Sequence, residues 1–361
     1  MINKDRIIKT FCEIVAIDSP SGEEESMAID VTNRLENFGF SVIRDDYGNV
    51  IASDGRENPI LLSAHLDTVE PGRGITPIVK DDQIVSDGTT ILGGDCKAGI
   101  VAVFEALESM LEDGIPMRPV ELVFTREEEL GLVGARNLDM STLKSKQAII
   151  FDGEGPVNQI TSSSPTYIGF DINITGRAAH AGAEPEKGLS AISIAADIIS
   201  QLPQGRLDNN TTFNIGNVEG GSTRNTVPEN TLITGEFRST NLEKLDDIRE
   251  QIDNIINKVK KKYPEAVLES HMHTSFETYT LEPDDPATQT ASEALEKIGL
   301  PPVMKPSGGG TDGNVFRNRG ISSVVVGMAV HGMHTVREYV NIPDLIDTAH
   351  FCESLLREDT N

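Results

Sequence analysis

A change in hydrophobic period along the chain constrains the fold more than any other feature. Short apolar runs at 41–44, 49–52, 60–64 and 119–125, each bounded by Gly, Pro, Asn or Asp, read as strands, as do runs at 147–151 and 322–327. Between them the spacing turns helical. Residues 3–17 place Ile7, Ile8, Phe11, Ile14 and Val15 on one face, and a second helix follows Ser21 and Glu24, which stand in the S-x-x-E order of a capping box. Residues 97–113 and 343–357 also read as helices, the latter with Pro343 in its first turn. Strands rich in Val, Ile and Leu that alternate with helices predict an α/β fold, a mostly parallel sheet with helices on both faces.

From about 166 to 276 the pattern differs. YIGFDINIT alternates apolar and polar residues, as a half-exposed strand does. A helix at 188–202, strands near 211–218 and 231–238, a helix at 242–262 and a strand near 266–274 complete the order β-α-β-β-α-β, a ferredoxin-like α+β arrangement. The expected organisation is a discontinuous domain, 1–165 plus 277–361, interrupted by an inserted domain at 166–276. The length of 361 residues agrees with two domains.

Composition narrows the partners. With 57 Asp+Glu against 31 Lys+Arg, the net charge of -26 repels nucleic acid and anionic membrane surfaces. Cysteine is limited to Cys12, Cys96 and Cys352, without a CxxC pair, which fits a reducing compartment. The charged N-terminus has no signal-peptide core, and no apolar run reaches the roughly 20 residues that span a bilayer. A cytoplasmic protein is expected.

The candidate chemistry collects at strand ends. ILLSAH finishes at His65, VELVFT runs into Arg126-Glu127-Glu128-Glu129, AIIFD finishes at Asp152, and SSVVVG leads through a short loop to His331 and His334. In open α/β sheets the carboxyl ends of the strands form the ligand crevice, so these residues are expected to converge. Asp95, where the glycines of ILGGDCKAG yield to a helix, suits either a ligand or a helix N-cap. Imidazole and carboxylate donors suit zinc, or less specifically manganese or cobalt, and a metal pair bridged by one carboxylate needs about this many ligands. HExxH is absent, so such a site draws on separated loops.

SAHLDTV, LGGDCKAGI, REEELG, FDGEG, GGGTDG and HGMHT, in this order, resemble the di-zinc exopeptidase family that includes aminoacylases, carboxypeptidase G and peptidase T, with the peptidase T-like tripeptidases most alike. The resemblance implies that His65 and Asp152 hold one zinc, Glu129 and His334 the other, and Asp95 both. It implies that Glu128 is the general base, that Asp67 orients His65, and that His180 of GRAAHAG stabilises the oxyanion, often from a partner subunit. It assigns Arg238, with Asn225, to the substrate carboxylate. Gly309, Gly310, Thr311 and Asp312 resemble a pocket-lining loop, since GK[ST] is missing and a phosphate loop is excluded. The implied protein is a cytoplasmic di-zinc aminopeptidase acting on short peptides, tripeptides foremost, with Mn2+ or Co2+ as substitutes and a homodimer formed through the inserted domain, which would also act as a lid. A carboxypeptidase or N-acyl amino acid deacylase built on the same metals is the alternative within the family, and a non-catalytic metal-dependent binding protein the alternative outside it. His331, one turn before His334, is read with His271, His273 and His350 as an ordinary histidine, with support of the ligands as its alternative reading.

Overall fold

The computed structural model describes residues 1–358. The chain forms two compact units. One comprises Met1–Ser163, Thr280–Ser307 and the chain from Thr311 onward; the other comprises Ser164–Tyr279 and Gly308–Gly310.

The first unit carries a nine-stranded mixed sheet. At its centre stand four parallel strands in the order Val120–Thr125, Ile60–His65, Gln147–Gly153, Ser322–Gly327. The first two are buried at every position, so they read as nearly continuous apolar runs. Parallel order also joins Val303–Pro306 to Gln159–Ser164, whereas other pairings away from the centre are antiparallel. Ser41–Arg44 and Val50–Ser53 are joined by a connection too short for a crossover, so they form an antiparallel edge. Gln159–Ser164 is likewise antiparallel to Ser322–Gly327.

Successive residues of the central strands enter opposite cores. Leu62, Phe124, Phe151 and Val326 pack against the helices Lys4–Val15, Glu25–Asn37, Gly94–Asp113, Pro286–Lys297 and Ile342–Leu356. Leu61, Val123, Ile150 and Val325 pack with Leu138, Leu143 and Phe316 on the other face. A Cβ at Gly99 would lie 2.4 Å from the Phe151 Cβ, so glycine lets the helix Gly94–Asp113 press against the strand that carries Asp152. A small four-stranded sheet of Ile78–Lys80, Gln83–Val85, Tyr339–Asn341 and Val330–His331 anchors both sides of the loop that contains His334. Its strands are two or three residues long, too short to show a period.

The second unit is a five-stranded antiparallel sheet in the order Gly205–Arg206, Thr211–Gly220, Asn230–Ser239, Thr166–Thr175, Val267–Phe276. Without the short edge piece Gly205–Arg206, this is the ferredoxin-like order expected from the pattern. Ile168, Phe170, Ile172 and Ile174 alternate into a separate core with Ile194 and Ile198 of the helix Ala191–Ile199 and Ile248 and Ile252 of the helix Leu242–Lys262. Among the described residues, no helix is long and apolar enough to cross a membrane.

Candidate active site

Four parallel neighbours bring their carboxyl ends together, and the candidate residues follow from that. His65 is the last residue of its strand and stands opposite Thr125 on the next, after which the chain turns into Arg126–Glu129. Asp152 is near the end of Gln147–Gly153, and the chain leaving Ser322–Gly327 reaches His334. Asp95 has extended backbone (φ -79, ψ 109) at the entry to its helix, and its side chain caps no backbone N–H. The N-cap alternative therefore fails. Glu127 (φ 50), adjacent to Glu128 in the chain, and His334 (φ 62) occupy left-handed conformations, strained for non-glycine residues.

Asp95 joins two halves of the site. Its Oδ1 lies 3.2 Å from His65 Nε2 and its Oδ2 lies 3.2 Å from His334 Nε2. His65 Nε2 is also 3.7 Å from Asp152 Oδ1, and His334 Nε2 is 2.9 Å from Glu129 Oε1. Two overlapping donor groups result, His65–Asp95–Cys96–Asp152 and Asp95–Glu129–His334, and within each group the donor atoms lie within 4.8 Å of one another. Glu128 forms a third such group with His65 and Glu129.

The electrostatics of the metal-free cluster show a shortage of positive charge. Burial raises Asp95, but hydrogen bonds with His334 and His65 outweigh it and hold the carboxyl at about 2. The same contact with Asp95, reinforced by Glu129, pushes the His334 imidazole up to about 10. Burial keeps Glu128 well above the ordinary carboxyl range, with the charge of Asp152 adding to it; burial does the same to Asp152. Asp152 has a side chain only 7% exposed, and among the described residues its carboxylate accepts no hydrogen bond. Buried carboxyls that outnumber their cations, mixed with imidazoles at this spacing, fit a pair of divalent ions, with one Asp95 oxygen available to each.

Comparison with known proteins agrees with this geometry. Residues 49–171 match peptidase family M28, and residues 163–264 match the peptidase dimerisation domain of the M20 group. The chain is 36% identical to the crystallised aminopeptidase PepT of Bacillus cereus ATCC 10987, covering 98% of each chain with a TM-score of 0.85. It is 31% identical to a crystallised tripeptidase of Staphylococcus aureus Mu50, covering 99% of this chain and 98% of that one with a TM-score of 0.90. The uncharacterised protein YqjE of Bacillus subtilis is 34% identical over 99% of both chains. The chain belongs to the M20 family of zinc exopeptidases, among its peptidase T-like members. It is an enzyme, a metal-dependent aminopeptidase.

A set of buried polar residues holds the candidate ligands of this M20 peptidase in place. Asp67, wholly buried, accepts hydrogen bonds from the backbone N–H groups of Glu128 (3.0 Å) and Glu129 (3.2 Å) and from Ser21 Oγ (2.6 Å). The nearer partner of His65 Nδ1 is the Asp67 backbone carbonyl at 2.9 Å, with the carboxylate at 3.4 Å. Asp67 therefore fixes the His65 tautomer mainly through its main chain. Ser21 and Glu24 form no capping box, and the helix Glu25–Asn37 begins without a side-chain cap. Glu24 instead accepts from Arg126 Nε (2.8 Å), Glu127 N (3.1 Å) and Gly22 N (2.8 Å). Glu127 accepts from the Tyr47 hydroxyl at 2.5 Å, away from the donor groups. Glu338 stands out only in the structure, where its buried carboxylate accepts from Leu92 N and Gly93 N, each at 2.8 Å, and from Asp95 N at 3.0 Å. Nothing local in the sequence signals that role, because its partners stand more than 240 positions away.

The remaining candidates separate. Thr311 caps the short helix Asp312–Asn318, and Asp312 is buried, accepting from Thr125 Oγ1 with its Oδ1 unpartnered. Burial pushes the Asp312 carboxyl up to about 6. Within the second unit, His180 is exposed, and its Nδ1 accepts from Gly182 N (3.2 Å) and Ala183 N (3.1 Å), which leaves Nε2 as the ring's N–H donor. The Asn225 carbonyl accepts from Ala181 N, beside that loop. Arg238 lies over the Tyr167 ring at 4.7 Å and donates to the carbonyl of Gly308 at 2.9 Å. Gly309 accepts from Ser164 Oγ, and a Cβ at Gly310 would meet the Phe276 ring at 2.4 Å. His331 stacks on Tyr339 with ring centroids 4.8 Å apart, faces Asp344, and belongs to none of the donor groups. His271 and His273 stack on each other on their strand.

Proposed function

We propose that this peptidase releases the N-terminal residue of short peptides, tripeptides foremost, with two zinc ions held by His65, Asp95, Asp152, Glu129 and His334. The observation that carries the reading is Asp95, whose two oxygens face two histidines in two overlapping donor groups. The ions would supply a water acidified toward neutrality and polarisation of the scissile carbonyl. Glu128 is buried beside His65 and Glu129, and among the described residues its carboxylate accepts no hydrogen bond. It takes the proton of the attacking water and returns it to the leaving amine nitrogen. Asp67, by holding the Glu128 and Glu129 backbone, keeps base and ligand in register. His180 Nε2–H donates to the oxygen of the attacked carbonyl, and Arg238, with Asn225, pairs with the peptide's terminal carboxylate. The match of residues 163–264 to a peptidase dimerisation domain supports a homodimer through the inserted segment.

A series of di-, tri- and tetrapeptides, each free and N-acetylated, tests the substrate class. The expected result is the highest kcat/KM on the free tripeptide, release of its first residue, and no cleavage of acetylated forms. Equal rates on all lengths would remove the tripeptide preference. Cleavage confined to acetylated substrates would favour a deacylase.

A further inference from the structure

We infer that the Cys96 sulfur is a ligand of the ion held by His65, Asp95 and Asp152, which makes that position a mixed nitrogen, oxygen and sulfur site. The inference rests on the two-metal reading above and adds a donor to it. Cys96 Sγ belongs to the same group as the donor atoms of His65, Asp95 and Asp152, all within 4.8 Å of one another. An ion with bonds of about 2.0–2.3 Å holds neighbouring donors roughly 3–4 Å apart, so the group needs only slight contraction to close on an ion, with the water in a fifth position or on the other ion.

A second observation is the state of Asp152 opposite the thiol. Its side chain is 7% exposed, its carboxylate accepts no hydrogen bond among the described residues, and its ion-pair contact is His65 Nε2 at 3.7 Å. A largely buried carboxylate without a hydrogen-bond donor, facing an imidazole and a thiol, is a place that a cation suits. Cys96 itself is fully buried, with the Phe151 carbonyl and Met328 Sδ (3.5 Å) as hydrogen-bond partners. A thiol is a weak donor, so exchanging these contacts for a metal bond sacrifices little. Ligation replaces the S–H bond by a sulfur–metal bond, and the proton passes to solvent. Asp95 and Cys96 are adjacent, on the backbone segment that Glu338 grips through Leu92, Gly93 and Asp95. One rigid segment thus delivers two donors. A sulfur ligand biases the position toward Zn2+ or Co2+ and against Mn2+ and Mg2+.

Cobalt substitution of the metal-free protein reads the sulfur directly. Wild type is expected to show a sulfur-to-cobalt charge-transfer band in the near ultraviolet that disappears in Cys96→Ser. It should persist in Cys12→Ser, because Cys12 lies on the helix Lys4–Val15 outside the cluster. X-ray absorption of the zinc-loaded wild type, which needs no variant, should show a Zn–S shell at about 2.3 Å. In Cys96→Ser, the preference for zinc over manganese should fall by roughly tenfold or more. Two bound ions with no sulfur signal, or a band that survives in Cys96→Ser, would overturn the inference while leaving the two-metal reading intact. Failure to bind any ion would overturn both.

Discussion

Glu338 shows how much of the proposed metal centre depends on one residue outside its donor groups. Its carboxylate satisfies three backbone N–H groups at the glycine turn before Asp95. Glu338→Ala leaves them buried without an acceptor, at about 1–3 kcal/mol each. Urea unfolding should register a loss on the order of 3 kcal/mol or more, and metal affinity should fall about 10–100-fold as Asp95 loses its fixed orientation. Glu338→Gln, which keeps an acceptor oxygen, should lie between Ala and wild type. An Ala variant with unchanged affinity would show that Asp95 is held by its imidazole contacts alone.

Helices and strands place the site, and their ties can be tested separately from the chemistry. The helix Lys4–Val15 is joined to Gly94–Asp113 by Arg6, whose Nε lies 2.7 Å from the buried Glu105 carboxylate. Arg6→Ala leaves that carboxylate without its cation and should destabilise the fold by about 3 kcal/mol, measured by denaturant melts. kcat should change little at temperatures where the variant is folded. At this same scale the sequence was most readable. Ile60–His65, Val120–Thr125 and Gln147–Gly153 announce themselves as apolar runs ending in polar donors, and parallel order alone brings those ends together. Contacts remote in sequence were not readable. Ser21 and Glu24 match a local capping pattern, yet their partners Asp67 and Arg126 lie 46 and 102 positions away. His331 stands close to His334 in sequence, but a two-residue strand turns it onto Tyr339 instead.

For the whole molecule, metal, proton and fold are linked. Asp95 and Glu129 raise the His334 imidazole from 6.5 to about 10. A group raised in the folded state lends stability that is full below about pH 6.5 and lost as pH rises through about 10. A metal ion must displace the imidazole proton, so apparent affinity should climb with pH between 6 and 9, by up to about tenfold per unit for each proton released. Calorimetry in buffers of different ionisation enthalpy counts those protons, and a pH-independent affinity would contradict the assignment of His334. Assembly is tested by sedimentation together with mixing of His180→Ala and Glu128→Ala. Activity recovered in the mixture supports a histidine supplied by the partner, whereas active monomers would exclude that requirement. The most direct test of the account is Glu128→Gln, assayed for bound metal and turnover on a free tripeptide in the same preparation. The expected result is two ions per chain, as in wild type, with kcat lowered by about 10²–10⁴. Wild-type turnover at full metal content would contradict it.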